Sequence, residues 1–301
     1  MRNQIIAENF GAFRPVLRGC ASAGATFCLI ASIASLFLPE ARAADADTDG
    51  ADLAKQLANP VASLISVPFQ ANWDFGIGIN DAARFTLNVQ PVIPISLTED
   101  WNLIIRTILP VIDAESPAPG IDDASGLGDT VQSFFFSPKE PVNGWILAAG
   151  PVVLWPTATD DLLGGEKWGA GPTALALKQS GPWNYGLLFN HLWSYAGEDN
   201  RGEVNASFIQ PFCSYITDTK TTFTLNAEST YDWEREQWSV PLNVVVSQLF
   251  KVGGQPMQSF VGGRYYVEGP DGGPEWGLRA GIVLLFPTSK PASPALAVSR
   301  K

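Results

Sequence analysis

The stretch Glu275-Trp-Gly-Leu-Arg-Ala-Gly-Ile-Val-Leu-Leu-Phe286 has two different rows of side chains at a spacing of two. The first row is apolar throughout: Trp276, Leu278, Ala280, Ile282, Leu284 and Phe286. The second row is mixed: Gly277, Arg279, Gly281, Val283 and Leu285. Successive side chains of a β-strand point to opposite faces, so this period predicts a strand with one fully apolar face. We predict that it closes an antiparallel barrel, which requires an odd number of strands before it.

Eleven further segments before this one show strand character. Alternation is clearest at both ends of the chain, and the facing of side chains between 127 and 216 stays open. The predicted strands are 65–75, 84–97, 101–112, 127–137, 144–156, 168–178, 184–195, 204–216, 222–233, 237–251, 257–268 and 276–286. Most reach the roughly nine to eleven residues that a tilted membrane strand needs. The sequence therefore predicts an all-β fold, a twelve-stranded antiparallel transmembrane β-barrel over residues 63–287.

The connections between these strands form two groups that alternate along the chain. One group consists of short turns: 98–100, 138–143, 180–183, 217–220 and 252–255. The other group is mostly longer and rich in glycine and acidic residues: 77–83, 113–125, 157–167, 196–203, 234–236 and 269–275. Short turns at one end and longer loops at the other are typical of outer-membrane barrels, with the short turns in the periplasm.

Tryptophan is the third indication of a membrane barrel. All ten tryptophans lie within about three residues of a predicted strand end, whereas a soluble β-protein would scatter them along its strands. They are Trp73, Trp101, Trp145, Trp155, Trp168, Trp183, Trp193, Trp233, Trp238 and Trp276. We predict that they form an aromatic girdle at the membrane interfaces.

The amino terminus predicts export. Basic residues precede the apolar stretch 24–38, which is too short to span a bilayer as a helix, and Ala41-Arg42-Ala43 fits a cleavage site. Residues 1–43 are therefore a predicted signal peptide. Residues 44–62 are a predicted periplasmic leader, which is either frayed or forms a small helix that folds into the lumen. Residues 288–301 are a predicted flexible tail.

Charge and cysteine content narrow the classes of partner. Without residues 1–43 the chain keeps 15 basic and 28 acidic residues, which argues against binding to nucleic acid. Cys20 and Cys28 lie in the predicted signal peptide, so that Cys213 remains without a partner for an intrachain disulfide.

Charged residues on the polar faces suggest a cluster in the lumen. They fall toward the loop ends of their strands, and several of those strands are neighbours once the barrel closes. The predicted lumen-lining residues are Asp74, Arg84, Glu228, Asp232, Arg264, Glu268 and Arg279. Two interpretations stay open: a salt-bridged plug, or a charged constriction that selects solutes. About eight strands give a filled barrel and about sixteen a water channel, so twelve strands fit either.

No pattern of catalytic or metal-binding residues is evident. His191 is the single histidine, and both Ser194 and Asn190 are placed on the opposite face of its strand. An enzymatic site would therefore require a serine on a neighbouring strand to approach His191. The chain has no histidine or cysteine spacing for a metal, and Gly126-x-Gly128 has no helix after it to form a phosphate site. We therefore expect no cofactor and no enzymatic activity.

Five motifs resemble a known family. They are Asn59-Pro-Val-Ala-Ser-Leu-Ile-Ser-Val-Pro-Phe-Gln70, Gln90-Pro-Val-Ile-Pro94, Gly126-Leu-Gly-Asp129, Tyr231-Asp-Trp233 and Gln237-Trp-Ser-Val-Pro241. They resemble Gram-negative outer-membrane barrels labelled as transporters, related to the phenol meta-pathway porin-like group and sometimes mislabelled neuromedin U. In addition, Arg279, Gly281, Leu284 and Phe286 resemble the carboxy-terminal assembly signal of outer-membrane barrels.

This resemblance implies an integral protein of the bacterial outer membrane that acts as a passive channel for small solutes, with hydrophobic or aromatic compounds as one class. Its implied partners are outer-membrane lipid and lipopolysaccharide, the barrel assembly machinery and the solute. Two alternatives stay open. One is a structural or surface-interaction barrel without conductance, and the other is a membrane-embedded lipid hydrolase.

Overall fold

The computed structural model describes residues 48–59, 61–62 and 64–286. The predicted signal peptide, its cleavage site, Cys20, Cys28 and the tail from 288 onward lie outside the described residues. Among the described residues, one helix precedes fifteen hydrogen-bonded strands. The elements are α1 (Thr48–Leu57), β1 (Ile65–Ile77), β2 (Ala82–Val89), β3 (Val92–Ser96), β4 (Trp101–Ala114), β5 (Ala124–Leu127), β6 (Thr130–Pro138), β7 (Trp145–Trp155), β8 (Lys167–Ser180), β9 (Trp183–Gly197), β10 (Asn205–Ile216), β11 (Thr221–Ala227), β12 (Ser229–Asp232), β13 (Gln237–Val252), β14 (Gln255–Glu268) and β15 (Trp276–Phe286).

The fifteen strands make twelve spans of a closed barrel. Three spans are interrupted: β2 and β3 at Gln90-Pro91, β5 and β6 at Gly128-Asp129, and β11 and β12 at Glu228. β2 and β3 both pair with β1 and β4, β11 and β12 both pair with β10 and β13, and β5 and β6 both pair with β4. Proline has no N–H for the ladder, which accounts for the break before β3. The predicted fold class, a twelve-stranded antiparallel β-barrel, is confirmed.

Closure occurs between the first and the last strand. β1 and β15 pair antiparallel over eleven residue pairs, from Ile65 with Phe286 to Phe75 with Trp276. A closed barrel leaves no unpaired strand edge, because every backbone ladder finds a partner. We call the barrel end with the short connections (97–100, 139–144, 181–182, 217–220 and 253–254) the turn end, and the opposite end the loop end.

The structure assigns the faces of the spans between 127 and 216. Phe135, Ala148, Leu175 and Leu188 are buried and form one interior cluster with Val61, so these side chains point inward. Small residues and prolines lie on both faces of β7 and β8, for example in Gly169-Ala-Gly-Pro172, and they erase the apolar–polar alternation on which face assignment depends.

The chain before β1 lies inside the barrel at the turn end. Leu53 and Ala54 of α1 form a buried cluster with inner-wall residues, which are Ile216, Leu249, Val283 and Leu285. Gln179 of β8 also donates its side-chain N–H to the backbone oxygen of Lys55 at 2.9 Å. The described part of residues 44–62 is thus a helix and a short segment packed against the inner wall. No helix among the described residues is long and apolar enough to cross a membrane.

Candidate functional site

A network of ion pairs crosses the barrel interior in its loop-end half. Glu228, between β11 and β12, accepts two hydrogen bonds from Arg279 of β15, at 2.8 Å from Nη1 and 2.7 Å from Nη2. Arg264 of β14 lies 3.5 Å from the same carboxylate and 3.3 Å from the Oδ1 atom of Asp74 on β1. Since Glu228 and Arg279 lie three spans apart around the wall, their side chains bridge the lumen.

Neutral groups hold this network in place. Asn72 accepts a hydrogen bond from Arg279 Nε at 2.8 Å, and the Tyr266 hydroxyl donates to Asp74 at 3.1 Å. Gly277 of β15 pairs with Asp74 of β1, and the structure leaves no room for a side chain at Gly277. A Cβ at that position would lie 2.7 Å from an Asp74 carboxylate oxygen and 2.5 Å from the Trp73 carbonyl. The buried charges are therefore paired and positioned by hydrogen bonds, as the low dielectric of an interior requires.

Arg106 of β4 differs from the other interior arginines. It donates to the side-chain oxygen of Gln90 at 2.9 Å, and among the described residues it forms no ion pair within 4.0 Å. The deep part of the interior thus has three arginines, Arg106, Arg264 and Arg279, against the carboxylates of Asp74 and Glu228. The fixed charge of this region is positive.

The structure brings together five of the seven charged residues predicted to line the lumen, which are Asp74, Arg84, Glu228, Arg264 and Arg279. Arg84 lies at the edge, 4.0 Å from Asp74 and 43% exposed. Asp232 and Glu268 do not join them, and the expectation that Glu268 meets the arginines is wrong. Asp232 pairs instead with Arg235 of the adjacent turn at 2.9 Å, and Glu268 is exposed at the end of β14.

The two exceptions have different causes. Asp232 follows Glu228 by four residues on the same face, with no shift of register between them. At about 3.3 Å per residue, four residues correspond to roughly 13 Å along the strand. Asp232 therefore lies at the mouth, at a different height from Glu228. Glu268 is displaced by a β-bulge: Pro241 pairs with Tyr266 and Val240 with Glu268, so that Val267 is an extra residue and Glu268 joins the outer row of Val240.

A cavity of about 200 Å³ lies between α1 and Arg106. Its wall combines amide, hydroxyl and apolar groups with one charged side chain. The lining residues are Gln56, Leu57, Asn59, Ala62, Leu64, Ser66, Pro68, Gln90, Val92, Arg106, Leu188, Gln210, Gln258 and Val283. The barrel interior is thus narrowed at two levels, by α1 at the turn end and by the ion-pair network above it.

Sequence reasoning missed several residues of this interior. Asn72, Gln90, Arg106 and Tyr266 are not among the predicted lumen-lining residues. Tyr266 shares the face of Arg264, so strand parity was the signal that could have found it. For Arg106 no such signal exists, because its position relative to Glu228 depends on the closed shape of the barrel.

His191 has a partner on the outer wall. Its Nδ1 atom lies 2.7 Å from the hydroxyl oxygen of Ser207 on β10, and that oxygen accepts a hydrogen bond from Trp233 Nε1 at 2.9 Å. Ser194 is bonded elsewhere, to Glu203. The Nε2 atom of His191 is buried without a hydrogen-bond partner, so no third group orients the ring as in a catalytic triad. The geometry assembles a Ser–His pair and nothing further.

The aromatic residues of the outer wall lie in two groups. Trp101, Trp145 and Trp183 lie at the turn end, where Trp145 and Trp183 contact Tyr185 and Tyr215. The other tryptophans are near the loop end: Trp73, Trp155, Trp168, Trp193, Trp233, Trp238 and Trp276. Between the groups, exposed aliphatic side chains such as Val244 and Val261 cover the wall.

The residues of the predicted assembly signal divide between the two faces of β15. Arg279 and Gly281 share the inward row, and Gly281 is fitted closely, since a Cβ there would lie 2.2 Å from the Phe69 carbonyl. Phe286 is exposed on the outer row together with Leu284.

The connections at the loop end are tied to one another. Arg201 donates to the backbone oxygens of Asp161 and Gly164, both at 2.5 Å, which joins the loop 198–204 to the loop 156–166. In the same loop, hydrogen bonds from Ser194 and from Lys167 lower the pKa of Glu203. In the described part of the chain, no group of three or more histidine, cysteine, aspartate or glutamate residues could hold a metal ion.

No protein-family model matches this chain, and no curated protein matches it. Among solved structures, the chain is similar to an outer membrane channel from Pseudomonas putida F1, at 19% identity and a TM-score of 0.58, over 74% of this chain and 94% of that chain. It also matches the NanC porin at 10% identity and a TM-score of 0.49, over 73% of this chain and 98% of that chain. The first of these similarities covers nearly the whole of the solved channel, so the two chains share the barrel fold.

Proposed function

We propose that this protein is an integral outer-membrane barrel that forms a passive channel for small solutes. The observation that carries the proposal is the contrast between the two faces of one closed wall. The outside presents aliphatic side chains between two aromatic groups, and the inside holds buried arginines, carboxylates and amides. Intramembrane charges of this kind face a bundle interior or water in membrane proteins and mark solute pathways.

The phenol meta-pathway porin-like group is the family that we propose for the chain, on the strength of the five motifs that resemble it. The similarity to the Pseudomonas putida channel supports the same class of protein. We propose no enzymatic role, because the Ser207–His191 pair lacks an orienting third group.

A test of the membrane location uses the outer wall. Val244, near the middle of β13, is 58% exposed on the outer row. We expect Val244→Arg to reduce the free energy of unfolding in lipid vesicles by about 2–4 kcal/mol, the cost of arginine at the bilayer midplane.

Val252→Arg is the matched control, since Val252 is equally exposed on the same strand but lies at its turn end. It should cost at most about 1 kcal/mol, because charges are tolerated near the interface. Equal losses for both variants in urea titrations followed by tryptophan fluorescence would argue that no bilayer surrounds this wall.

Planar-bilayer recording tests the channel. We expect the protein to show a small conductance with a preference for anions, because its deep interior has more arginines than carboxylates. Replacing Arg264 and Arg279 with alanine should raise the conductance and shift the reversal potential toward cations. The two side chains that bridge to Glu228 would be gone, and the fixed charge would become less positive.

Arg235→Ala serves as the control, because Arg235 is exposed in a loop-end turn and pairs only with Asp232. It should leave both conductance and selectivity unchanged. A wild-type protein and an Arg264→Ala, Arg279→Ala variant that are both silent, although folded, would favour the alternative of a structural barrel without conductance.

A further inference from the structure

We propose that the cavity between α1 and Arg106 binds a small monocarboxylate with a compact apolar body. The inference rests on the proposed channel function, because a solute reaches this cavity through the lumen. It adds the chemical class of the solute and the residue that selects it.

Arg106 is the group that would hold the carboxylate. A guanidinium has five N–H donors in a planar fork, and within the described part of the chain Arg106 uses one of its nitrogens, toward Gln90. Arg264 and Arg279, in contrast, are neutralised by Asp74 and Glu228. A partly buried cation without a direct counter-ion is unfavourable, and a carboxylate that binds through two parallel hydrogen bonds would reduce that cost.

The rest of the lining favours an anion over a cation or a neutral solute. Among the described residues that line the cavity, Arg106 is the only charged one. The amide N–H groups of Gln210 and Gln258 can donate to an oxygen anion, and the described part of the lining has no carboxylate to attract an ammonium group. A cation entering this space would meet the positive charge of Arg106 without compensation.

Size and the apolar part of the wall restrict the body of the solute. The cavity of about 200 Å³ is smaller than the ~300–1,000 Å³ of pockets for drug-sized ligands. Its aliphatic lining comes from both the amino-terminal segment and the barrel wall, namely Leu57, Leu64, Val92, Leu188 and Val283. One apolar group of roughly ring size, attached to a single carboxylate, fits this combination.

Calorimetric titration of the detergent-purified barrel with three probes of similar size tests the proposal. The probes are benzoate, benzyl alcohol and benzylammonium. We expect benzoate to bind about tenfold tighter than the other two, or more, because hydrogen bonds to a charged group are stronger than those between neutral groups. This comparison uses the unaltered protein and does not depend on any variant. Equal affinity for benzyl alcohol, or no binding of benzoate, would overturn the proposal.

Variants then locate the site. Arg106→Gln should weaken benzoate binding about tenfold or more while leaving benzyl alcohol unchanged, and Arg106→Lys should restore part of the benzoate affinity. Arg84→Gln is the control, because it removes an equal charge from the inner wall outside the cavity lining. If Arg84→Gln weakens benzoate as much as Arg106→Gln, the general field of the lumen, and not this cavity, selects the anion.

The outcome is distinguishable from that of the conductance experiment. Benzoate binding by a barrel without conductance would contradict the proposed channel function and support the proposed carboxylate site. Conductance without a preference for benzoate would contradict the proposed carboxylate site and support the proposed channel function.

Discussion

Leu53→Asp should increase the single-channel conductance several-fold. Leu53 is 8% exposed and packs with Leu249 and Leu285 of the inner wall at the turn end of the barrel. Burying a large aliphatic side chain contributes about 1.5–3 kcal/mol, and an unpaired carboxylate in the same place costs several kcal/mol. We expect α1 to leave the wall while the closed ladder of backbone hydrogen bonds keeps the barrel folded.

Leu97→Asp is the control, because it adds the same charge at the turn end of the barrel, at an exposed residue outside the cavity lining. Planar-bilayer recording of both variants measures the effect, and a gel shift between boiled and unboiled samples shows that both barrels fold. An unchanged conductance in a folded Leu53→Asp protein would mean that α1 does not limit the passage of ions.

Glu228→Gln should be the most destabilising single change in the interior. Its carboxylate is the shared partner of Arg279 and Arg264, whose side chains are 5% and 10% exposed. Removing one partner of a buried ion pair leaves the other charge without compensation, at a cost of about 3–5 kcal/mol. Chemical unfolding of the barrel in lipid vesicles gives the free energy of unfolding that this prediction concerns.

The double variant Glu228→Gln, Arg279→Gln separates charge compensation from packing. Since it removes both charges of the pair and keeps similar shapes, we expect it to lose less stability than Glu228→Gln alone. Asp232→Asn is a control for carboxylate loss at the exposed mouth, where ion pairs contribute at most about 1 kcal/mol. A loss below about 1 kcal/mol for Glu228→Gln would mean that water screens the network as it screens a surface pair.

The sequence determined the architecture because strand alternation is a local property. The row from Trp276 to Phe286, the long segments before it and the alternating lengths of the connections were sufficient to predict the barrel and its number of spans. Each depends on residues close together in the chain, and a period of two shows directly which side chains share a face. This reasoning failed in Gly169-Ala-Gly-Pro172, where small residues and a proline carry no contrast between the faces.

The tertiary structure alone decided how the interior is arranged. Strand parity placed Glu228 and Arg279 on inward faces, but only closure of the wall brings Glu228 across three spans to Arg279 and leaves Arg106 beside a cavity. The height of each side chain in the lumen follows from strand tilt and register, which connect residues far apart in the chain. For that reason Asp232 shares the face of Glu228 and still lies outside the network, and a shift of register in β14 moves Glu268 to the outer row. The helix before β1 likewise finds its place only against a wall that the last strand completes.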